Sequence, residues 1–186
     1  MRIVSGSRGG RRLKPPPDRA IRPTPDRVRE ALFAILGSRV PGARFLDLFA
    51  GTGANGLEAL SRGAREACFV EASKSAVALI RENIGRLEFD AQCTVVTGVL
   101  PAALARLART SPYEIVFADP PYESELLARL LASPHLPPLL VPGGTLVMEA
   151  GRHAEVAGAG WSVDSIRDYG DTRLFFLSPQ VGEEGP

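Results

Sequence analysis

Four consecutive residues, Asp119-Pro120-Pro121-Tyr122, put a carboxylate, backbone carbonyls and an aromatic ring side by side. Neither proline can donate a backbone hydrogen bond, and each fixes its own φ. The carbonyls of Asp119 and Pro120 are therefore released to point at something other than a ladder partner. These groups suit a planar ring bearing an NH2 group. The Asp119 carboxylate and the Pro120 carbonyl can each accept one N–H, and Tyr122 can stack on the ring face, a contact worth about 1–3 kcal/mol per base. A plainer reading is a strand end and a Pro-Pro turn, with Tyr122 as a core ring.

A second constellation lies upstream. The run Gly51-Thr52-Gly53-Ala54-Asn55-Gly56 follows an apolar strand and precedes a helix. Its glycines permit a tight turn and close backbone approach by a ligand. Glu71 ends the next strand, where an acidic side chain can take both hydroxyls of a ribose. It also stands at a helix start, just before Ser73, and both roles are compatible. Taken alone, this pair of features fits a dinucleotide-dependent oxidoreductase as well as any other nucleoside-binding enzyme.

The elements that must position these groups alternate between strand and helix. Strands are predicted at Arg44–Phe49, Ala67–Val70, Thr94–Val96, Ile115–Ala118 and Thr145–Glu149. A closing antiparallel pair, Trp161–Asp168 and Leu174–Leu177, turns around Gly170-Asp171-Thr172. Helices are predicted from Pro25 to about Leu36, from the glycine loop to Gly63, from Ser73 to about Arg86, from Pro101 to Arg109 and from Glu125 to Leu131. Thr24 is the N-cap of the first helix, and Pro25 fits its first helical position. Val28, Ala31, Leu32, Ile35 and Leu36 form its apolar stripe, so Arg27 and Arg29 are expected on the free face. The fold class is α/β: a doubly wound, mostly parallel sheet covered on both faces. Such sheets bind ligands at the carboxyl ends of their strands.

The chain has 186 residues, 45% hydrophobic and 23% charged, as in ordinary soluble domains. No apolar run approaches a membrane span, and no secretory signal opens the chain. Cys68 and Cys93 stand alone, without Cys-x-x-Cys or spaced His pairs, so no metal site and a reducing, cytoplasmic setting are expected. His135 and His153, the two histidines, read as surface residues. Residues 1–30 carry nine basic and three acidic side chains against a whole-chain net charge of +1. This points to a basic N-terminal arm (1–21, with a hairpin across Gly6–Gly10) ahead of a domain at 22–180 and a disordered tail at 181–186. In the functional reading Arg8, Arg11, Arg12, Lys14, Arg22, Thr24 and Arg27 contact nucleic acid. In the alternative the arm is a solvated tail.

Together the motifs resemble the Rossmann-like methyltransferases that use S-adenosyl-L-methionine. More closely, the chain is similar to the bacterial 16S rRNA guanine-N2 methyltransferase D family (RsmD). The resemblance rests on the blocks running from Arg22 to Phe33 and from Asp47 to Ala64, on Glu71, on Asp119–Tyr122 and on Tyr169-Gly170-Asp171-Thr172-Arg173. It implies a seven-stranded sheet with an antiparallel last strand and transfer of a methyl group to the exocyclic amine of a guanine. The partner would be 16S rRNA, a small ribosomal subunit or an assembly intermediate, and the protein a monomer. The implied cofactor contacts are Asp47, Phe49, Ala50, Gly51, Thr52, Gly53, Glu71, Ala72, Gly98, Val99, Leu100 and Asp119. The implied base site is Asp119, Pro120, Pro121 and Tyr122. One departure stands out: Thr97-Gly98-Val99-Leu100 lacks the Asp or Asn that such enzymes often use for the adenine amine. Adenine would rely on backbone groups near Val99 and on apolar packing. The rival within the same chemistry is an amino methyltransferase acting on DNA or another RNA.

Overall fold

The short apolar runs become strands because each alternates between two buried faces. In the first, Phe45 faces one layer and Leu46 and Leu48 the other. The structure is a computed structural model that describes residues 1–16, 26–107, 112–121, 124–156 and 160–180. Its strands are β1 (Arg44–Leu48), β2 (Glu66–Glu71), β3 (Cys93–Thr97), β4 (Tyr113–Ala118), β5 (Leu140–Gly151), β6 (Trp161–Tyr169) and β7 (Thr172–Pro179). They form one seven-stranded sheet in the order β3-β2-β1-β4-β5-β7-β6. Strands β1 to β5 pair in parallel, and β7 runs antiparallel between β5 and β6. The expected α/β class and the antiparallel last strand are both observed.

Among the described residues five α-helices accompany the sheet: α1 (Asp26–Leu36), α2 (Ala54–Ser61), α3 (Lys74–Leu87), α4 (Leu104–Leu107) and α5 (Ser124–Leu131). Ser73 caps α3 by accepting from the Ala76 amide at 3.4 Å. One core layer gathers Phe45, Phe69, Ile115 and Phe117 with apolar residues of α1, α2 and α3. The other gathers Leu46, Leu48, Val116 and Met148 with Leu104 of α4 and Leu130 of α5. Among the described residues no helix is long and apolar enough to cross a membrane.

Most elements match the sequence expectation to within two residues at each end, and two differ more in extent. Helix α4 covers only Leu104–Leu107 of the expected Pro101–Arg109, of which residues 108 and 109 lie outside the described set. Strand β5 begins at Leu140, not Thr145, because Pro142-Gly143-Gly144 is absorbed as a bulge. Tyr113 pairs with Leu140, and the register resumes at Ile115 with Thr145. Gly143 supplies the left-handed φ of 75° that the bulge needs. The expected N-cap Thr24 and the first-turn Pro25 lie outside the described residues.

The N-terminal arm is a docked hairpin. Ile3 donates to Arg11 O at 2.9 Å, Gly10 donates to Ile3 O at 2.8 Å, and Ile3 and Leu13 are buried in the α1–α3 layer. Its anchor is Glu58 of α2, which is fully buried. The Glu58 carboxylate accepts from the amides of Val4 at 2.7 Å and Ser5 at 3.0 Å and from Arg62 Nε at 2.8 Å. Arg29 Nε lies 3.5 Å from it. Arg29 therefore departs from the expectation of a free face: it is 0% exposed and also donates to Arg2 O at 2.5 Å and Asp26 at 2.8 Å. The apolar stripe alone places Arg29 in solvent, but the hairpin closes over that side of α1 and the guanidinium finds its counter-charge on α2.

Removing one partner of a buried ion pair strands the other. Glu58→Ala is expected to lower the unfolding free energy by about 3–5 kcal/mol and to expose the hairpin to protease before the rest of the chain. Urea unfolding together with limited proteolysis measures both; wild-type behaviour in both would show that the hairpin is held by Ile3 and Leu13 alone.

Candidate active site

The sheet order places a topological switch between β1 and β4. From β1 the chain winds outward through β2 to β3, then returns to β4 on the other side of β1. A crevice opens at the carboxyl ends of the strands at such a point. The glycine loop leaves β1 there and Asp119 leaves β4 there, because Leu48 pairs with Ala118. The two constellations legible in the sequence thus face one crevice.

Backbone conformation shapes the β1 side. Phe49 takes φ 63°, Gly51 φ 55° and Gly53 φ 78°, three left-handed positions of which the two glycines adopt theirs without the Cβ penalty. Ala50 donates to Val70 O at 3.0 Å, and Gly53 donates to Ala50 O at 2.7 Å. Gly56 lies inside α2, where an added Cβ would sit 2.4 Å from the Phe69 ring. That glycine lets helix and strand pack closely, whereas the first two shape the ligand loop. Thr52 is buried, and its carbonyl accepts from Asn83 Nδ2 at 3.1 Å. Asn83 Oδ1 in turn accepts from the Lys14 amide at 2.7 Å. One buried amide on α3 therefore couples the loop to the hairpin.

Glu71 serves the loop and the next helix together. Its Oε2 accepts from the Gly51 amide at 2.9 Å and its Oε1 from the Ser73 amide at 2.8 Å. A carboxylate offers about four acceptor sites, so each oxygen keeps capacity for a hydroxyl. Beyond it, Ala72 and Val99 are exposed, Val99 at 68%. An exposed Val on the carboxyl side of β3, beside a half-buried carboxylate, fits a flat ring joined to a diol. Gly98 donates to Glu71 O at 3.0 Å, and a Cβ there would meet the Ala103 Cβ at 2.8 Å. Leu100 is buried beneath. In the first turn of α2, just past the loop, Asn55 Oδ1 is buried without a hydrogen-bond partner. These features fit the nucleoside and amino-acid ends of S-adenosylmethionine.

Asp47 lies at the floor, 1% exposed, with Oδ2 accepting from the Gly56 amide at 3.0 Å. Burial pushes its carboxyl up to about 8, the Gly56 bond opposes this, and the charge of Glu71 adds to the rise. On the β4 side Asp119 is half-buried, Pro120 is buried and Pro121 is exposed. Tyr122 lies outside the described residues, as do Arg22 and Thr24.

The described basic residues of the arm are not gathered at this edge. Helix α3 starts beside Glu71 and runs the length of the sheet, about 20 Å at 1.5 Å per residue. Arg8 sits at its far end, where Nε donates to Leu87 O at 2.9 Å and Nη2 to Glu88 at 3.1 Å. Arg11 lies 3.7 Å from the same Glu88. Lys14, nearer the glycine loop, pairs with Glu82 at 2.6 Å. Arg12 is exposed, and so is Arg27, in the first turn of α1.

Residues 1–178 match the family described as Conserved hypothetical protein 95. The chain belongs to this family. It is 37% identical over 157 residues to the Bacillus subtilis protein YlbH, covering 84% of this chain and 85% of that one. Over 127 residues it is 40% identical to the Escherichia coli K12 ribosomal RNA small subunit methyltransferase D, covering 68% of this chain and 63% of that enzyme. Among solved structures, a Thermus thermophilus protein superposes with a TM-score of 0.81 at 35% identity, over 96% of this chain and 99% of that one. The Escherichia coli protein yhhF gives 0.80 at 33% identity, over 97% and 98%.

The raised Asp47 carboxyl has a consequence for stability. Between about 4 and 8 the folded chain holds a proton that the unfolded chain has released, so stability falls as pH rises through that window. Asp47→Asn keeps an acceptor for Gly56 without the ionisation and is expected to flatten that fall in urea unfolding across the range. An identical slope in the variant would remove Asp47 as its cause.

Proposed function

We propose that the chain is an S-adenosylmethionine-dependent rRNA methyltransferase that acts on the exocyclic N2 amine of a guanine in 16S rRNA. The observation that carries the reading is the pairing of Leu48 with Ala118, which sets the carboxyl ends of β1 and β4 side by side. A loop suited to a nucleoside cofactor leaves one of these ends, and an amine-accepting Asp-Pro-Pro segment leaves the other. The relatives named as small-subunit rRNA methyltransferases support the substrate class. An oxidoreductase would use the glycine loop and Glu71 but would leave Asp119 and Pro120 without work. We place the enzyme in the cytoplasm, acting as a monomer on the small subunit or on an assembly intermediate.

Gly51 and Gly53 allow the cofactor close to the backbone, Glu71 takes the ribose hydroxyls, and Ala72, Gly98, Val99 and Leu100 form the bed for adenine. Phe49, Ala50, Thr52 and Asp47 hold the shape of the loop. When bound, S-adenosylmethionine supplies a methyl group on a sulfonium, already a strong electrophile. The guanine amine is a poor nucleophile because its lone pair is delocalised into the ring. The Asp119 carboxylate and the Pro120 carbonyl, each accepting one N–H, favour a pyramidal nitrogen and free that lone pair. Both bonds strengthen as positive charge grows on nitrogen, so they act in the transition state more than in the ground state. Pro120 and Pro121 stiffen the segment, and Tyr122 stacks on the base. In-line positioning can be worth about 7–11 kcal/mol. No strong base is needed, since the methylated nitrogen sheds its proton readily to Asp119 or to water.

The test is methyl transfer from tritiated S-adenosylmethionine to small subunits lacking the modification, followed by nucleoside analysis. N2-methylguanosine is the expected product, and Asp119→Ala is expected to lower kcat at least a hundredfold while cofactor affinity stays within a fewfold. Labelled methyladenosine would overturn the choice of base. Near-wild-type turnover in the variant would overturn the role of Asp119.

A further inference from the structure

The segment Tyr169–Arg173 has no part in the cofactor or base sites described above, yet the sheet carries it to the same edge. Met148 pairs with Ala118, Gly151 pairs with Thr172, and Ala150 pairs with Arg173. The turn between β6 and β7, with Gly170 at φ 61°, therefore stands beside the strand end that bears Asp119. Two strand spacings separate β4 from β7, so the backbones lie about 10 Å apart.

At this tip Arg152 and Arg173 stand with the aspartates Asp168 and Asp171, and Arg173 keeps one edge of its guanidinium open. Arg173 Nε and Nη2 donate to the two oxygens of Asp168 at 2.6 and 3.0 Å, and the guanidinium lies over the Phe175 ring at 5.9 Å. This consumes two of its five N–H donors. The outer Nη1–Nη2 edge keeps the parallel pair of donors that matches a phosphate. Asp168 spends both oxygens on Arg173, so the carboxylate is screened from a second anion. Arg152 follows β5, is exposed, and is tethered to the turn by its amide, which donates to Asp171 O at 2.9 Å. Its charge is close enough to help hold the Asp168 carboxyl below its ordinary range, after the larger effect of the Arg173 bond. By contrast, Arg8 and Arg11 of the N-terminal arm are paired with Glu88 at the far end of α3.

We propose that Arg173 and Arg152, at the β6–β7 turn, bind the backbone phosphate of the RNA strand that carries the target base. The proposal rests on the methyltransferase reading above and adds a docking surface on the β5–β7–β6 side of the base site. Asp168 is a positioning residue here: it holds the Arg173 fork in one plane over Phe175, so little rotamer freedom is lost on contact.

The experiment measures steady-state methylation of unmodified small subunits by Arg152→Gln and Arg173→Gln proteins across a salt series. Each variant is expected to raise KM for the subunit about tenfold with kcat within twofold. Each is also expected to make the slope of log(kcat/KM) against log[salt] shallower by about 0.7, the value for one contact to a single strand. Cofactor affinity and melting temperature serve as controls. Arg152→Gln guards against a folding artefact, because among the described residues its side chain makes no hydrogen bond or ion pair. Arg173→Lys keeps the charge without the fork and is expected to recover part of the KM. Unchanged KM and salt slope in both glutamine variants would overturn the proposal while leaving the reaction intact. So would a loss confined to kcat, cofactor affinity or melting temperature. Absence of labelled RNA with wild-type protein would instead overturn the underlying function.

Discussion

The structure depends on a carboxylate with no access to water. Glu58 sits on α2, the helix that also forms the far side of the glycine loop, and gathers two hairpin amides and two guanidinium groups. An uncompensated charge in that position would cost several kcal/mol, and so would the orphaned amides of Val4 and Ser5 if the carboxylate were absent. The hairpin, α1 and α2 are therefore mutually required. A two-stranded hairpin is marginal alone, and this one persists because the body supplies its hydrogen bonds. Compensation is incomplete at Arg29, whose Nε and Nη1 are buried without a good hydrogen bond. A buried pair of this kind is weak as a source of stability and stronger as a register device, since only one docking of the hairpin satisfies Glu58.

Asn83 does for the loop what Glu58 does for the hairpin. Its side chain binds Lys14 on one side and the carbonyl of Thr52 on the other. The glycine loop is thus braced from outside by a buried amide and from inside by Glu71, which holds the Gly51 amide. Glycines give the loop its permitted conformations, and these braces select one of them. Binding a cofactor then costs less ordering entropy than a free glycine loop would.

Much of this was legible in the sequence, for identifiable reasons. Strand-helix alternation, the Ser73 cap and the placement of Glu71 are local properties, and local patterns report them. The crevice could be anticipated because a doubly wound sheet leaves few places for a ligand. Glu58, Arg29 and Asn83 were not legible. Each is a polar residue whose partner lies 27 to 69 positions away in sequence. A stripe count assigns such residues to solvent by default. One signal was present: Glu58 is the one charged residue of α2, and a helix buried all round must satisfy any charge it carries. The orientation of the arm was hidden for a similar reason. Composition reveals its charge but not which edge of the sheet its tip would reach.

That orientation bears on how a domain this small handles a macromolecular substrate. The arm's tip is fastened at the amino-terminal edge, against Ser61 and Leu87, where the amides of Ser7 and Arg8 are taken up by Ser61. The carboxyl edge keeps Ala72, Val99, Pro121, Arg152 and Asp171 exposed among the described residues. An enzyme for a small molecule gains by enclosing its substrate. A base that remains part of a long chain can only enter from outside, with its neighbours left in solvent. Binding energy must then come from the strand flanking the base. Contacts far from the strand ends can add affinity for RNA without bringing a base to them. Contacts on the same rigid sheet edge hold the flanking strand at a distance from Asp119 that strand spacing sets. The closing β6–β7 hairpin is the element that extends that edge beyond the parallel core.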